Sequence, residues 1–295
     1  MQSVALGVSA LLFLFPVPGS SQYLDGRCGV LPNGKIGNNI WSPWMAYLHT
    51  SELIYVCGGT VITEKLILTA AHCTRAKEQL VASVGEFIQA EDGNETISSA
   101  HQVNQTFVHP LYNMTANAND IAILGLATDI VFSKTIRPIC IMWWTIWREY
   151  VDNIQVLSGA QWGMSYDRNE SEAFRITDIR RQPASMCSIL NGTAILSSQF
   201  CAGDSDTKLC NVDFSTPLGA TISLSNFRRF VLIGFATANQ RCNRPSVYTD
   251  VLSYTDFIIS VWRQYRKFDR QPFQGRCVGT KAFATSGKSR FCLNN

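Results

Sequence analysis

Charge is scarce in this chain: only 16% of its 295 residues are Asp, Glu, Lys or Arg, and the two signs nearly cancel. The net charge of +3 is too small to suggest a nucleic-acid partner. Because 46% of the residues are hydrophobic, the same shortage of charge excludes wholesale disorder. No Cys-x-x-Cys pair occurs, so the ligand spacing of a structural zinc site is missing, and no metal or other cofactor is expected. Long apolar runs are missing too. The longest apolar run, Val4 to Val17, is shorter than the ~20 residues that span a bilayer, and no membrane span is expected.

What that stretch does resemble is the core of a secretory signal peptide. It is broken by Pro16 and Pro18 and leads to Gly19, Ser20 and Ser21, although the start lacks the usual Lys or Arg. Residues 1–21 are therefore read as a signal peptide and the protein as secreted and extracellular. Two further features agree. The cysteines number ten, an even count that suits disulfides, with the pairing left open by spacing alone. Five Asn-x-Ser/Thr sites, at Asn94, Asn104, Asn113, Asn169 and Asn191, suit a glycosylated surface.

Short β-branched runs bounded by Gly or charged turns recur along the chain: Pro43–Leu48, Val56–Ile62, Leu66–Thr69, Val81–Val84, Gln102–Val108, Ile121–Leu126, Gln155–Leu157 and Phe230–Phe235. Such spacing, with almost no sustained helical period, predicts an all-β sandwich or barrel pair. The exception is Asp256–Tyr265, where Phe257, Ile258, Val261, Trp262 and Tyr265 share one helical face and Thr255 or Asp256 is available as a cap.

Three local motifs carry the functional reading. They are Thr69-Ala70-Ala71-His72-Cys73, the run from Asp120 through Ile121-Ala122-Ile123-Leu124, and the loop Leu209-Cys210-Asn211-Val212-Asp213-Phe214-Ser215-Thr216-Pro217-Leu218. Together they resemble the chymotrypsin-like and trypsin-like serine proteases, over roughly Cys28 to Tyr265. The resemblance implies two packed six-stranded antiparallel β-barrels with a C-terminal helix. Residues 22–35 would be a short pro-like segment tethered by Cys28, residues 36–266 the protease domain, and residues 267–295 a basic, disulfide-closed tail.

In that family a serine attacks the substrate carbonyl, a histidine takes its proton, and an aspartate holds the imidazole in the right tautomer. The resemblance makes His72 the histidine and Asp120 the aspartate. At the serine position it puts Phe214, whose ring has no lone pair and no nucleophile. Val212 replaces an oxyanion-loop glycine beside Asp213, and a β-branched side chain restricts the backbone that aims the donor inward. Lys208 stands where trypsin-like pockets keep an aspartate, while Ala238 and Ser246 depart from the usual pocket walls. The segment after Lys35-Ile36 is also shorter than the family's, so a freed Ile36 amine is not expected to reach Asp213. These positions point to a catalytically degenerate homologue, similar to the secreted non-catalytic proteins that accompany arthropod proteolytic and immune cascades.

The resemblance also implies the bridges Cys28–Cys140, Cys57–Cys73, Cys187–Cys201 and Cys210–Cys242, with Cys277–Cys292 left to close the tail. The partners expected are extracellular proteins: a protease, an inhibitor or a cascade substrate. Two alternatives stand beside this reading. One is an active trypsin-like endopeptidase using Ser215 as nucleophile. The other is a polysaccharide-binding protein using the basic tail (Lys281, Lys288, Arg290) and the Trp143-to-Trp147 loop, which equally suits packing against the barrel. Glu91, Asp92 and Glu95 are read as a solvated loop rather than a calcium site.

Overall fold

The computed structural model describes residues 23–31, 42–76, 78–89, 95–143, 145–165, 173–191, 194–203, 209–210, 215–224, 227–237 and 245–269. The first half forms β1 (Met45–Thr50), β2 (Tyr55–Val61), β3 (Leu66–Thr69), β4 (Leu80–Gln89), β5 (Glu95–Val108) and β6 (Ala122–Leu126). These close into an antiparallel barrel in the order β1-β2-β3-β6-β5-β4. Closure leaves no edge, and the aliphatic side chains converge. Leu48, Val61, Leu66, Ile67, Ile123 and Leu124 are each at most 1% exposed.

The second half supplies α1 (Arg148–Asp152), β7 (Val156–Ser165), β8 (Ala173–Gln182), α2 (Ala184–Asn191), β9 (Gln199–Ala202), β10 (Leu209–Cys210), β11 (Pro217–Leu224), β12 (Phe227–Ala236), β13 (Ser246–Asp250) and α3 (Thr255–Asp269). The sheet runs β10-β7-β11-β12-β13-β9-β8, and β7 also pairs with β8. Six strands thus close a second barrel, and the two-residue β10 adds a seventh outside the ring, through Leu209 and Cys210 on Ser165 and Met164.

The two barrels share packing. Trp44, 1% exposed, stacks on Phe230 of β12 with centroids 4.7 Å apart, and both belong to a cluster that also takes in Leu232, Ile258, Val261 and Tyr265. All five residues of β6 are buried because the strand is covered on one side by the barrel and on the other by α3. Tyr265 Oη donates to the Leu126 carbonyl at 3.0 Å, and a Cβ on Gly125 would lie 2.5 Å from the Tyr265 ring. Only a glycine admits the helix so close.

The helix agrees with the periodicity read above, except at its start. A 3-10 turn, Val251–Tyr254, precedes it, and Asp250 caps that turn by accepting from Leu252 N at 3.2 Å. The Thr255 hydroxyl instead donates back to the Leu252 carbonyl. The open N–H groups belong to the first turn of the combined structure, which begins before Thr255, so neither Thr255 nor Asp256 is the cap.

Tyr23 to Leu31 is built into the domain. Leu24 N donates to the Ile141 carbonyl, Gly29 N to the Pro138 carbonyl, and Phe230 N to the Gly29 carbonyl. Gly29 has φ +63°, and a Cβ there would meet the Phe230 carbonyl oxygen at 2.5 Å, so the chain passes over the Cys28–Cys140 disulfide only as glycine. Cys57–Cys73 and Cys187–Cys201 are bonded as well. Cys210 lies in β10, whereas Cys242, Cys277 and Cys292 fall outside the described residues, as do Lys35, Ile36 and the tail beyond residue 269.

Of the tryptophan loop, Trp143 meets Trp262 edge-to-face at 6.0 Å, and Trp147 packs against the second core. Trp144 lies outside the described residues. The outer surface of this region is Ile146 and Tyr150, at 73% and 46% exposure, not the two described tryptophans. Arg148 ties it down through Asp250 and, at 3.1 Å, Ser253.

Acid should weaken this fold through His101. The ring is buried in β5 with both nitrogens on hydroxyls, Nε2 at 2.7 Å from Ser99 Oγ and Nδ1 at 2.7 Å from Thr128 Oγ1. Burial holds its pKa below the ordinary 6.5, and burial lowers that of His109 likewise. The unfolded chain then takes up the proton first, so stability is lost as pH falls through about 6.5 toward the folded pKa. The slope is at most about 1.4 kcal/mol per pH unit for each such group. Thermal unfolding at several pH values should show it, and His101→Gln should flatten its share; an unchanged slope in the variant would refute the assignment.

Candidate functional site: a histidine–aspartate pair between the barrels

His72 sits on a 3-10 turn, Ala71–Arg75, that follows β3. Ala70 and Ala71 are essentially fully buried, and their small side chains let the turn lie flat on the core. No side chain of the turn itself caps it. Asp120 does so from 48 residues away: its Oδ1 accepts from the His72 backbone N–H at 2.9 Å, and its Oδ2 lies 2.7 Å from His72 Nδ1. One carboxylate therefore holds both the backbone and the ring. In the neutral ring this favours the tautomer with the proton on Nδ1, the one a general base at Nε2 needs. Asp120 is 4% exposed and the His72 side chain 22%, so the ring is partly open while its orienting partner is buried.

Asp120 is itself positioned by an unusual backbone. Asn119 has φ +53°, Ile121 N donates to its carbonyl at 2.9 Å, and Tyr254 Oη donates to its side-chain oxygen at 3.3 Å. The second barrel thus helps to place a residue of the first. On the other side of the ring, Nε2 lies 3.5 Å from Cys73 Sγ and 3.9 Å from Cys57 Sγ. These three residues are the one group with metal-ligand character among the described residues. The sulfurs are bonded to each other, so neither is a thiolate, and the group is a disulfide packed on an imidazole.

Ser215 is the nearest described residue of the nucleophile loop. It is 1% exposed and has φ +69°. Its N–H donates to the Ala236 carbonyl at 3.0 Å, and its hydroxyl lies 3.2 Å from Thr69 Oγ1, which donates to the Gly58 carbonyl at 2.9 Å. The side chain is therefore built into the floor beneath β3. This link between Thr69 and Ser215, 146 residues apart, left no local mark in the sequence. Thr216 is buried beside it and accepts from Ala236 N.

Of the specificity residues, Ser246 opens β13 opposite Ala202 and is half-buried. Its neighbour in the wall, Thr237, is buried and donates its hydroxyl to the Val247 carbonyl at 2.7 Å. Lys208, Val212, Asp213, Phe214 and Ala238 fall outside the described residues, as do Glu91, Asp92, Asn94 and Asn169. Asn104 and Asn113 are exposed, and Asn191 ends α2. A cavity of about 330 Å³ under α3 includes neither His72 nor Asp120; its walls include Leu24, Leu66, Trp262 and three ion-paired carboxylates, Asp25 and Glu64 held by Arg27 and Asp129 held by Lys65.

Two closed antiparallel barrels, a C-terminal helix, and a His–Asp pair where the halves meet define the chymotrypsin class of architecture. The comparisons narrow it: the family model for trypsin matches residues 33–258, and the chain belongs to the trypsin family. Serine protease grass of Drosophila melanogaster is 28% identical over 76% of this chain and 64% of its own. Vitamin K-dependent protein C of Mus musculus is 30% identical over 77% and 51%, and serine protease snk of Drosophila melanogaster 30% over 70% and 49%. The chain thus spans between about half and just under two thirds of these relatives. A solved structure of Drosophila Grass, described as a clip serine protease of the Toll pathway, superposes with a TM-score of 0.65 at 24% identity, over 80% of this chain and 74% of that one. Among the described residues, no helix is long and apolar enough to cross a membrane.

Proposed function

We propose that this chain is a secreted, catalytically silent member of its family that works by binding, as a partner or regulator of extracellular proteases. What supports the reading is the loop Val212-Asp213-Phe214-Ser215, in which the motif resemblance puts Phe214 at the place of the nucleophile. A phenyl ring carries no nucleophile and cannot attack a carbonyl. Val212 and Lys208 support it, each removing a second requirement of trypsin-like turnover: the oxyanion donor's backbone freedom and the pocket's negative charge.

The supports of the fold have been kept. The described disulfides and the His72–Asp120 pair argue for a surface still in use rather than for decay, since each bridge stabilises by about 2 to 4 kcal/mol. Among the relatives, a clip serine protease of the Toll pathway suggests the setting: a proteolytic cascade, in which a silent homologue binds substrate, inhibitor or active protease.

Ser215 is a poor substitute nucleophile. A reacting oxygen must come within about 3 to 3.5 Å of the carbonyl and in line, and this hydroxyl is buried against Thr69. A fluorophosphonate probe should therefore leave the purified protein unlabelled. Labelling that disappears in Ser215→Ala would overturn the proposal and establish an endopeptidase.

A further inference from the structure

Asn113 stands on a hairpin beside the turn that carries His72. Its backbone pairs both ways with Ala118, at 2.9 and 3.0 Å, around a turn formed by Met114 to Asn117. The side-chain oxygen accepts from Ala116 N at 3.0 Å, and the amide nitrogen makes no hydrogen bond among the described residues. The exposed side chain thus presents the atom that a sugar would be joined to. With Met114 and Thr115 it completes an Asn-x-Thr acceptor.

Both chain neighbours of Asn113 reach the groups around His72. Met114 Sδ accepts from the guanidinium of Arg75, on the same 3-10 turn as His72. Tyr112 lies within the field of Asp120 and of Arg75, and its phenol is pushed to a higher pKa by burial and by the Asp120 charge. The hairpin is also clamped from the second barrel, by Gln199 Nε2 on the Asn117 carbonyl at 2.9 Å and by Tyr254 on Asn119. Anything attached at Asn113 is rooted at a fixed point beside the turn that carries His72.

We propose that Asn113 carries an N-linked oligosaccharide that restricts macromolecular access to the His72–Asp120 pair. In the step itself, the amide nitrogen attacks the anomeric carbon of a lipid-pyrophosphate-linked oligosaccharide and loses a proton. The C1–N bond forms, the C1–O bond breaks, and the lipid pyrophosphate leaves with the electron pair. Small molecules pass the glycan and globular proteins do not, so the modification selects which partners reach His72. The proposal rests on the secreted reading given above, because the acceptor is modified only on an exported chain.

Arg75 is the reporter, being exposed and against Met114. The full chain is secreted from cultured insect cells, and occupancy of Asn104 and Asn113 is read by mass spectrometry after enzymatic deglycosylation. Modification of Arg75 by phenylglyoxal is then compared with modification by a polymer-linked phenylglyoxal. The polymer reagent should be slowed several-fold on the glycosylated protein, and deglycosylation, Asn113→Gln or Thr115→Ala should abolish the difference, whereas Asn104→Gln should not. Thr115→Ala keeps the Asn113 turn intact, so a folding defect of Asn113→Gln does not confuse the outcome. A bare Asn113 beside an occupied Asn104, or a rate at Arg75 indifferent to the glycan, overturns the proposal alone. Both asparagines bare would overturn the secreted reading with it.

Discussion

The purified protein is expected to leave a broad peptide library uncut, both intact and after limited cleavage with trypsin, and Phe214→Ser is expected to restore measurable but weak turnover. Loss of the serine from such a triad costs about six orders of magnitude in kcat, equivalent to roughly 8 kcal/mol of barrier. Ser215, the alternative hydroxyl, is buried against Thr69 and is not expected to make up a deficit that large. His72 and Asp120 are held at 2.7 Å in the orientation a general base needs, which is why the reversion should act at all. Val212 and Lys208 are untouched by it, so kcat/KM should stay well below that of a competent family member. Hydrolysis by the unaltered protein that survives repurification would mean that another group is the nucleophile.

Trp44→Ala should destabilise the protein by about 3 to 5 kcal/mol, the range for truncating a large buried aromatic. At roughly 2 to 4 °C per kcal/mol for a chain of this size, the melting temperature falls by about 6 to 20 °C. Trp44 joins the barrels through its stack on Phe230, so its removal opens a cavity at that junction. Trp44→Phe keeps a ring on Phe230 and should recover most of the loss. If calorimetry shows the alanine variant melting like the parent, the junction is not the keystone described above.

The His–Asp pair was legible because each member lies in its own short motif, and neither reading needed the fold. Strands with β-branched runs were equally plain. The runs that escaped were those whose pairing, not composition, makes them strands. Gln155–Leu157 was expected as a brief strand, yet β7 continues to Ser165 through Ser158-Gly159-Ala160-Gln161, which carries no apolar alternation. It is held by eight partners in β8, from Val156↔Arg180 to Gly163↔Ala173. The polar Arg180-Arg181-Gln182 end of β8 was silent for the same reason. Asp250 also gave no hint of its part: capping a turn while binding Arg148, 102 residues earlier, is a relation between distant segments. Ser215 is the instructive case. Its identity suggested a spare nucleophile, and only its burial on Thr69 shows a hydroxyl used as mortar.

The bond between Cys28 and Cys140 gives any processing of this protein an odd grammar. A cut between residues 32 and 41 would make new chain ends without discharging anything, because the leading piece remains riveted to the second barrel through sulfur and through Gly29. Proteolysis there is punctuation rather than deletion. Such an event is invisible to any method that weighs the intact molecule only coarsely, and it becomes visible as two bands when the sulfurs are reduced.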